Sequence, residues 1–221
     1  MKAISIRSYR FLNAVIGVAF VCAAAGVCAQ GQNSDPALDF NADALWQVLA
    51  KHERALGRFD QRLFDESGTL VEQSSGTYRA MQPRFFRWEI NEPDQQAIIV
   101  NEETLWHFDI DLATATRRPV TASNDLSALE LLTGDTAALR QQFSVSPLDK
   151  NRYRLHPLYA QAGFVSLELT LQDDKIVRIE IFDRSSQQIV IALSPSDDPS
   201  TVSRSDFDFD PPEGVEVFDA S

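Results

Sequence analysis

The chain has 221 residues, 44% of them hydrophobic, with 20 basic and 32 acidic residues and a net charge of −12. Such an acidic surface repels nucleic acid and anionic lipid headgroups, which argues against nucleic-acid binding and against stable residence on an anionic membrane surface. No repeat, linker or low-complexity block divides the chain, and its length suits one domain with an apolar core.

Residues 1–29 have the features of a secretory signal peptide. Three positive charges among the first ten residues precede an apolar stretch over 11–25, which is shorter than the ~20 residues of a membrane span. The small residue Ala29 follows. We expect cleavage after Ala29 and a mature chain of residues 30–221, with an uncleaved anchor as the alternative interpretation.

Both cysteines, Cys22 and Cys28, lie in the segment that would be removed. The mature chain would then have no thiol for a disulfide, a nucleophile or a cysteine-based metal site. A bacterial lipoprotein signal needs a small residue directly before its cysteine, whereas a valine precedes each cysteine here. Cleavage removes three basic residues and no acidic one, so the net charge changes from −12 to −15. These features predict a soluble exported protein.

The mature chain begins with a predicted amphipathic helix over 41–56. Asn41 is suited to the N-cap and Gly57 to the helix stop, because these residue types favour those positions. A first strand is predicted over 58–65, and a long strand over 69–80 follows a polar turn.

An antiparallel meander is predicted over 82–111. Phe86, Trp88 and Ile90 alternate with charged residues, which is the period of a half-buried strand. The continuous apolar run over 97–100 instead predicts a strand that is covered on both faces.

The remainder of the chain is predicted to be mostly strand. An exposed edge strand over 114–119 precedes a helix over 123–134 and a shorter helix over 135–142. Alternating apolar residues then predict strands joined by polar turns, the last of them at Phe207 and Phe209. The total is roughly eleven strands and two to three helices. We therefore predict an α+β fold, mainly antiparallel β, in which a curved sheet is partly covered by a lid.

Signals for catalysis are weak. His52 lies on the apolar helix face and is better interpreted as a core or lid residue than as a general base. His107, Asp109 and Asp111 share one strand face, and a solvated face accounts for them better than a metal site does. The sequence has no nucleophile, zinc or nucleotide-binding motif. We predict no catalytic residue, no metal and no cofactor.

Phe85 and Phe86 are adjacent aromatic residues in a predicted strand. Neighbouring strand residues face opposite ways, so the two rings cannot be buried in one layer. One of them should face the outer side of the sheet or the mouth of a cavity.

An ordered set of aromatic, proline, glycine and polar positions runs along nearly the whole mature chain. It comprises Phe59, Gln61, Gly76, Tyr78, Pro83, Phe86, Trp88, Pro93, Leu105, Trp106, Asp109, Leu131, Leu132, Gly134, Asp135 and the segments 153–157 and 207–217. This set resembles the LolA family, the periplasmic carriers of lipoproteins. None of the motifs is diagnostic by itself, but their order is specific.

The resemblance implies a curved, incomplete β-barrel with an α-helical lid over an apolar cavity. It also implies a monomeric periplasmic chaperone. Such a chaperone takes acylated lipoproteins from an ATP-driven, ABC-type inner-membrane release complex (LolCDE-like) and delivers them to an outer-membrane receptor (LolB-like).

The resemblance also implies site residues. It places Phe86 at the family's functional phenylalanine, near the cavity rim and the transporter contact. The candidates for lining the acyl cavity are Trp88, Ile90, Ile99, Trp106, Phe108, Leu129 and Leu132.

One position departs from the family pattern. LolA proteins typically have an arginine directly before the proline that matches Pro83, and that arginine holds the lid shut. Gln82 occupies this position here, and an amide lacks the charge and the five donors of a guanidinium. Arg84, two residues along and nominally on the same strand face, is the second latch candidate, and Arg79 or Arg87 could also substitute.

Three other interpretations remain open at this point. A LolB-like outer-membrane receptor would share the fold but would itself be a lipoprotein. An envelope-stress sensor domain with this fold would usually continue into another domain. The third is a periplasmic lipid-binding or hydrolase domain, and a hydrolase would need a nucleophile constellation.

The first prediction concerns export. Because of the signal-peptide features, the intact mass of the protein recovered from the periplasm should correspond to a chain that starts at Gln30. A mass that includes a diacylglycerol on Cys28 would contradict this and would favour the LolB-like receptor.

Overall fold

The computed structural model describes residues 39–120, 131–132, 136–159 and 162–220, with side chains from residue 42 onward. Two α-helices are described, α1 (Asp39–Lys51) and α2 (Thr136–Gln142). The strands are β1 (Arg54–Phe64), β2 (Leu70–Met81), β3 (Phe85–Glu92), β4 (Gln96–Asn101), β5 (Thr104–Asp109), β6 (Thr114–Pro119), β7 (Phe143–Asp149), β8 (Arg152–Pro157), β9 (Phe164–Gln172), β10 (Lys175–Asp183), β11 (Gln188–Pro195) and β12 (Glu216–Asp219). No helix in these ranges is both long and apolar enough to cross a membrane.

All twelve strands belong to one open sheet in the order β12-β6-β5-β4-β3-β2-β1-β11-β10-β9-β8-β7. Neighbours are antiparallel, except that β12 runs parallel to β6. The predicted fold class is confirmed: the fold is mainly antiparallel, the sheet is unclosed and helices cover part of it. The predicted edge strand at 114–119 is not at the edge, because β12 pairs with it.

The sheet has an apolar core on each face. The inner face, which α1 and α2 cover, carries a large cluster that includes Phe59, Tyr78, Trp88, Leu167 and Ile191. The outer face carries a smaller cluster of Phe85, Ala97, Ile99, Trp106, Ala115, Val202 and Phe207. Strand β4 contributes Ile98 to the first cluster and Ile99 to the second, which confirms that it is covered on both faces.

The outer core is covered by residues 196–215, hereafter the outer strap. The Phe207 ring is fully buried, 5.4 Å from the ring of Phe85. Arg54 fixes the start of the outer strap by donating from Nη1 to the carbonyl oxygens of Ser200 and Val202, at 3.2 and 3.0 Å. The outer strap is therefore bound by both apolar and polar contacts.

A charged network on the outer face reinforces this attachment. Arg87 donates from Nη1 to the Asp206 carbonyl oxygen (3.1 Å) and from Nε to Glu89 Oε1 (2.8 Å), and Arg79 Nη1 lies 3.1 Å from Glu89 Oε2. Burial tends to raise the pKa of Glu89, but the hydrogen bonds and charges of Arg87 and Arg79 outweigh burial and keep that pKa below its ordinary value. The carboxylate thus stabilises the fold at neutral pH, and this contribution is lost as the pH falls through its lowered pKa.

Two predicted elements differ from the structure. Helix α1 ends at Lys51 rather than at residue 56, because the backbone from Arg54 onward pairs with β2. Phe207 does not begin a strand but ends a 3₁₀ helix, Arg204–Phe207, whose start is capped by Ser203. The alternation of aspartate and phenylalanine at 206–210 wrongly predicts a strand, because the outer strap packs both phenylalanine rings on the sheet without pairing with it. The predicted helix over 123–134 lies outside the described residues except for 131 and 132.

Truncation of Phe207 tests the outer strap. We expect Phe207→Ala to lower the free energy of unfolding by about 3–5 kcal/mol, because it empties a fully buried aromatic site. Phe218→Ala on β12, where the side chain is 46% exposed, should change it by less than about 0.5 kcal/mol. Urea denaturation measures both values, and equal small losses would show that the outer strap is not part of the core.

Candidate functional site: the covered inner face

The centre of the inner face is a group of stacked aromatic rings. Trp88 lies 3.6 Å from Phe59 and 5.8 Å from Phe86, measured between ring centroids, in both cases nearly parallel. Gly76 makes this stacking possible, because a Cβ there would overlap the Glu89 carbonyl oxygen and press on the Phe59 ring. These rings form a flat, apolar floor.

The helices cover this floor with leucine and tryptophan side chains. Leu45, Trp46 and Leu49 of α1 and Leu139 of α2 are all buried in the inner cluster. On the solvent side Arg140 joins the two helices, with Nη1 3.1 Å from the Asp43 carboxylate and the guanidinium 5.9 Å from the Trp46 ring centre. Because that ion pair is exposed, it contributes less than about 1 kcal/mol. Apolar packing therefore holds the cover more than charge does.

A cavity of about 60 Å³ lies at the end of α1, between that helix and the first two strands. Its lining includes Leu49, Leu56, Tyr78, Leu131 and Leu132. This volume accommodates a few water molecules and no acyl chain. Burial raises the pKa of Tyr78 to about 12, so its phenol stays neutral in the lining. The cavity can receive a chain only if the cover moves.

The C-terminal end of α1 is held from two sides. The Gln82 side chain donates from Nε2 to the His52 carbonyl oxygen (3.2 Å). The backbone N–H of Gln82 donates to the Glu53 carbonyl oxygen (2.8 Å). On the other side His52 Nε2 donates to the Asp174 carbonyl oxygen at 2.6 Å, and Lys51 Nζ lies 3.4 Å from the Asp174 carboxylate. The end of the helix is thus tied to the β2–β3 turn and to the β9–β10 turn.

Of the two latch candidates, the structure brings only Gln82 to the helical cover. Arg84 is exposed, at a φ of 109°. Among the described residues its guanidinium has no hydrogen bond or ion pair. Its carbonyl oxygen instead accepts a bond from the Glu102 N–H, which closes the turn beside β4.

The two adjacent phenylalanines are both buried, each 5% exposed. Phe86 packs in the inner cluster beside Trp88, and Phe85 packs outward under the outer strap. The expectation that one of the two rings faces the outer side of the sheet is confirmed, and that ring is Phe85. Neither ring faces solvent, because both faces of the sheet are covered.

The lining candidates separate onto opposite faces. Trp88, Ile90 and Leu132 belong to the inner cluster or pack against it. Ile99, Trp106 and Phe108 belong to the outer cluster or pack against it under the outer strap, so they do not line an inner cavity. Alternation correctly predicts that neighbouring side chains of a strand lie on opposite faces of the sheet. It does not predict which of the two faces is the inner one. Leu129 lies outside the described residues.

The inner face also has polar side chains. For one of them the sequence predicts a solvated face, and two others carry no sequence signal of burial. His107 is half-buried on this face rather than solvated, with Nε2 3.2 Å from Gln96 Oε1. Burial lowers the pKa of His107, partly offset by the Asp109 carboxylate, so the ring is neutral at pH 7. Within the described ranges no group of three or more His, Cys, Asp and Glu side chains could hold a metal ion. Gln61 and Ser74 are also buried on this face.

Comparison with known proteins gives consistent matches. Residues 50–210 match the sequence profile of the family described as "Outer membrane lipoprotein carrier protein LolA". An outer-membrane lipoprotein carrier protein of Alkalilimnicola ehrlichii is 34% identical over 74% of this chain and 77% of its own length. One from Coxiella burnetii is 29% identical over 78% and 84%. An uncharacterized conserved protein from Thermus thermophilus shares the fold, with a TM-score of 0.52 and 13% identity over 81% of this chain and 99% of its own.

The contact between Gln82 and His52 predicts a local effect on α1. Gln82→Ala should speed amide exchange in the last turn of the helix and lower the free energy of unfolding by about 0.5–1.5 kcal/mol, because one side-chain hydrogen bond is lost. Arg84→Ala, at an exposed position, is the matched control and should change neither. Hydrogen exchange followed by mass spectrometry measures the effect, and equal exchange in the two variants would contradict it.

Proposed function

The chain belongs to the LolA family, and from this we propose that it is a periplasmic chaperone that carries lipoproteins toward the outer membrane. In this role the inner face binds the acyl chains of a lipoprotein released from the inner membrane. The residues with signal-peptide features support the periplasmic location. The protein acts as a transport chaperone and not as an enzyme.

One observation carries the proposal: the face of the sheet with the larger apolar cluster is covered by helices, and in the described part of the chain their packing against it is mainly apolar. Burial of a single long acyl chain stabilises its complex by on the order of 10 kcal/mol, at ~0.8 kcal/mol for each CH₂. A carrier with an open apolar groove would release such a chain very slowly. Leu45, Trp46 and Leu49 occupy that groove in the structure, so they compete with the chain, lower the net affinity and make handover possible.

The handover partners follow from the same role. We propose a LolCDE-like ATP-driven complex as the donor and a LolB-like receptor as the acceptor where that receptor exists, with the carrier acting as a monomer. Phe86 remains the proposed transporter contact and becomes accessible only when the cover moves, because its ring is buried under the cover in this structure. The relatives described above are carrier proteins, so they support this role over the receptor and hydrolase alternatives.

A crosslink across the cover tests the proposal. The mature chain has no cysteine, so Lys51→Cys with Asp174→Cys places two unique thiols at an exposed contact between α1 and the β9–β10 turn. Joining them with a short bis-maleimide should stop the protein from releasing a lipoprotein from inner-membrane vesicles. Native mass spectrometry should show the carrier–lipoprotein complex for wild type and no complex for the crosslinked protein.

The single-cysteine variants, treated with the same reagent, are the controls and should form the complex. Normal release by the crosslinked protein would show that the α1 cover does not need to open. Failure of the wild type to form any complex with lipoprotein would contradict the carrier function itself.

A further inference from the structure

Two polar side chains are buried side by side in the inner face, away from the His107–Gln96 pair. Gln61 on β1 and Ser74 on β2 are directly opposite in the strand register. Gln61 is 2% exposed and Ser74 is 5% exposed. Gln61 alternates with Phe59 and Leu63, both in the inner cluster, so it points to the same side of the sheet.

Neither side chain has a partner in the described part of the chain. The Ser74 hydroxyl is buried without a hydrogen bond. The carboxamide of Gln61 likewise has no hydrogen bond to any described residue, including Ser74. Buried polar groups in folded proteins are nearly always hydrogen-bonded, so the unsatisfied Ser74 hydroxyl, next to a carboxamide that bonds to no described residue, indicates a group that is satisfied in another state.

On the side away from Ser74, the neighbours of Gln61 are apolar. The residue opposite Gln61 on its other side is Ile191 of β11, and Ile179 of β10 follows in the same row. Both isoleucines are fully buried. The pair also lies about 23 Å along β1 from Arg54, where the strand begins beside the end of α1. The pair is therefore a buried polar position far from the end of α1.

We propose that the Gln61–Ser74 pair binds the ester and amide groups at the lipid-modified head of the cargo, an inference that rests on the proposed function. The Ser74 hydroxyl can donate to an ester carbonyl, and the Gln61 carboxamide can donate to a second carbonyl or accept from an amide N–H. An acylated N-terminal cysteine presents both kinds of group where its chains begin. Chains lying on the aromatic floor therefore place these groups at one end of the face.

This arrangement has a consequence for selectivity. The empty, closed state leaves both polar groups unsatisfied, and a ligand with carbonyl groups satisfies them, so binding of an ester-linked lipid is favoured over binding of a plain hydrocarbon. The same groups disfavour the empty closed state, which moves the equilibrium toward the loaded one.

The test compares two lipopeptides on the mature protein. One is a tripalmitoylated cysteinyl peptide, and the other is its ether-linked, N-alkyl analogue, which keeps the chains and lacks the acyl carbonyls. Ser74→Ala and Gln61→Leu should each weaken binding of the first by about 3- to 10-fold, the loss of one hydrogen bond, and should leave binding of the second unchanged. Ser75→Ala, on the same strand and opposite face, is the matched control and should change neither.

The thermal midpoint of the empty protein gives an independent readout. Because the Ser74 hydroxyl has no partner, Ser74→Ala should leave the midpoint unchanged or raise it. Equal losses for both lipopeptides would mean that the pair serves packing only. Unchanged affinities, or a lowered thermal midpoint, would mean that a buried water satisfies the pair. Each of these results overturns the inference. Binding of the first lipopeptide by the wild type would still uphold the carrier function. If the wild type binds neither lipopeptide, the proposed function fails and the inference fails with it.

Discussion

The alternation of side chains along a strand is the constraint on which the rest of this structure depends. Phe85 with Phe86, and Ile98 with Ile99, place large apolar groups on both faces of the sheet. Each face must therefore be covered, because large apolar surfaces left in water are unfavourable. The outer strap covers one face and the helices cover the other, and the two covers differ in how firmly they are attached.

This difference connects the fold to the proposed function. The outer strap is fixed by a fully buried Phe207, by the two bonds of Arg54 to backbone carbonyls and by the network around Glu89. Over the described residues, the contacts of the helical cover include apolar packing, an exposed ion pair and the contacts of Gln82 and His52 at the end of α1. A movable cover is therefore expected on the inner face, and a permanent one on the outer face. Gln82 holds the end of α1 through a neutral hydrogen bond, which is weaker than a charge-assisted one and is consistent with a cover that opens readily.

Much of the fold could be predicted from local sequence patterns. The wrong predictions concern the end of a helix and the face of the sheet on which side chains lie, both of which depend on contacts with distant segments. The alternation at 86–90 and the continuous run at 97–100 correctly indicated strands, and the second also correctly indicated two covered faces. The outer strap covers the other face of β3 as well, which alternation alone does not predict. The end of α1 was misplaced, because Ala55 and Leu56 fit a helical face as well as they fit a strand paired with β2. Trp106 and Phe108 were assigned to the inner cavity because periodicity does not identify which side of a sheet faces inward. The isolation of Gln61 and Ser74 depends on what surrounds them in space, so no sequence pattern reveals it.

The central claim is that acyl chains bind on the inner face, beneath the helices. The most direct test uses a lipopeptide with a photoactivatable group along one acyl chain, which is bound to a protein of residues 30–221 and irradiated. Mass spectrometry then maps the labelled residues. Labels should fall on inner-face positions of β1 to β3 and on α1, around Phe59, Trp88 and Leu49. Labels on the outer strap or around Trp106, with none on the inner face, would contradict it.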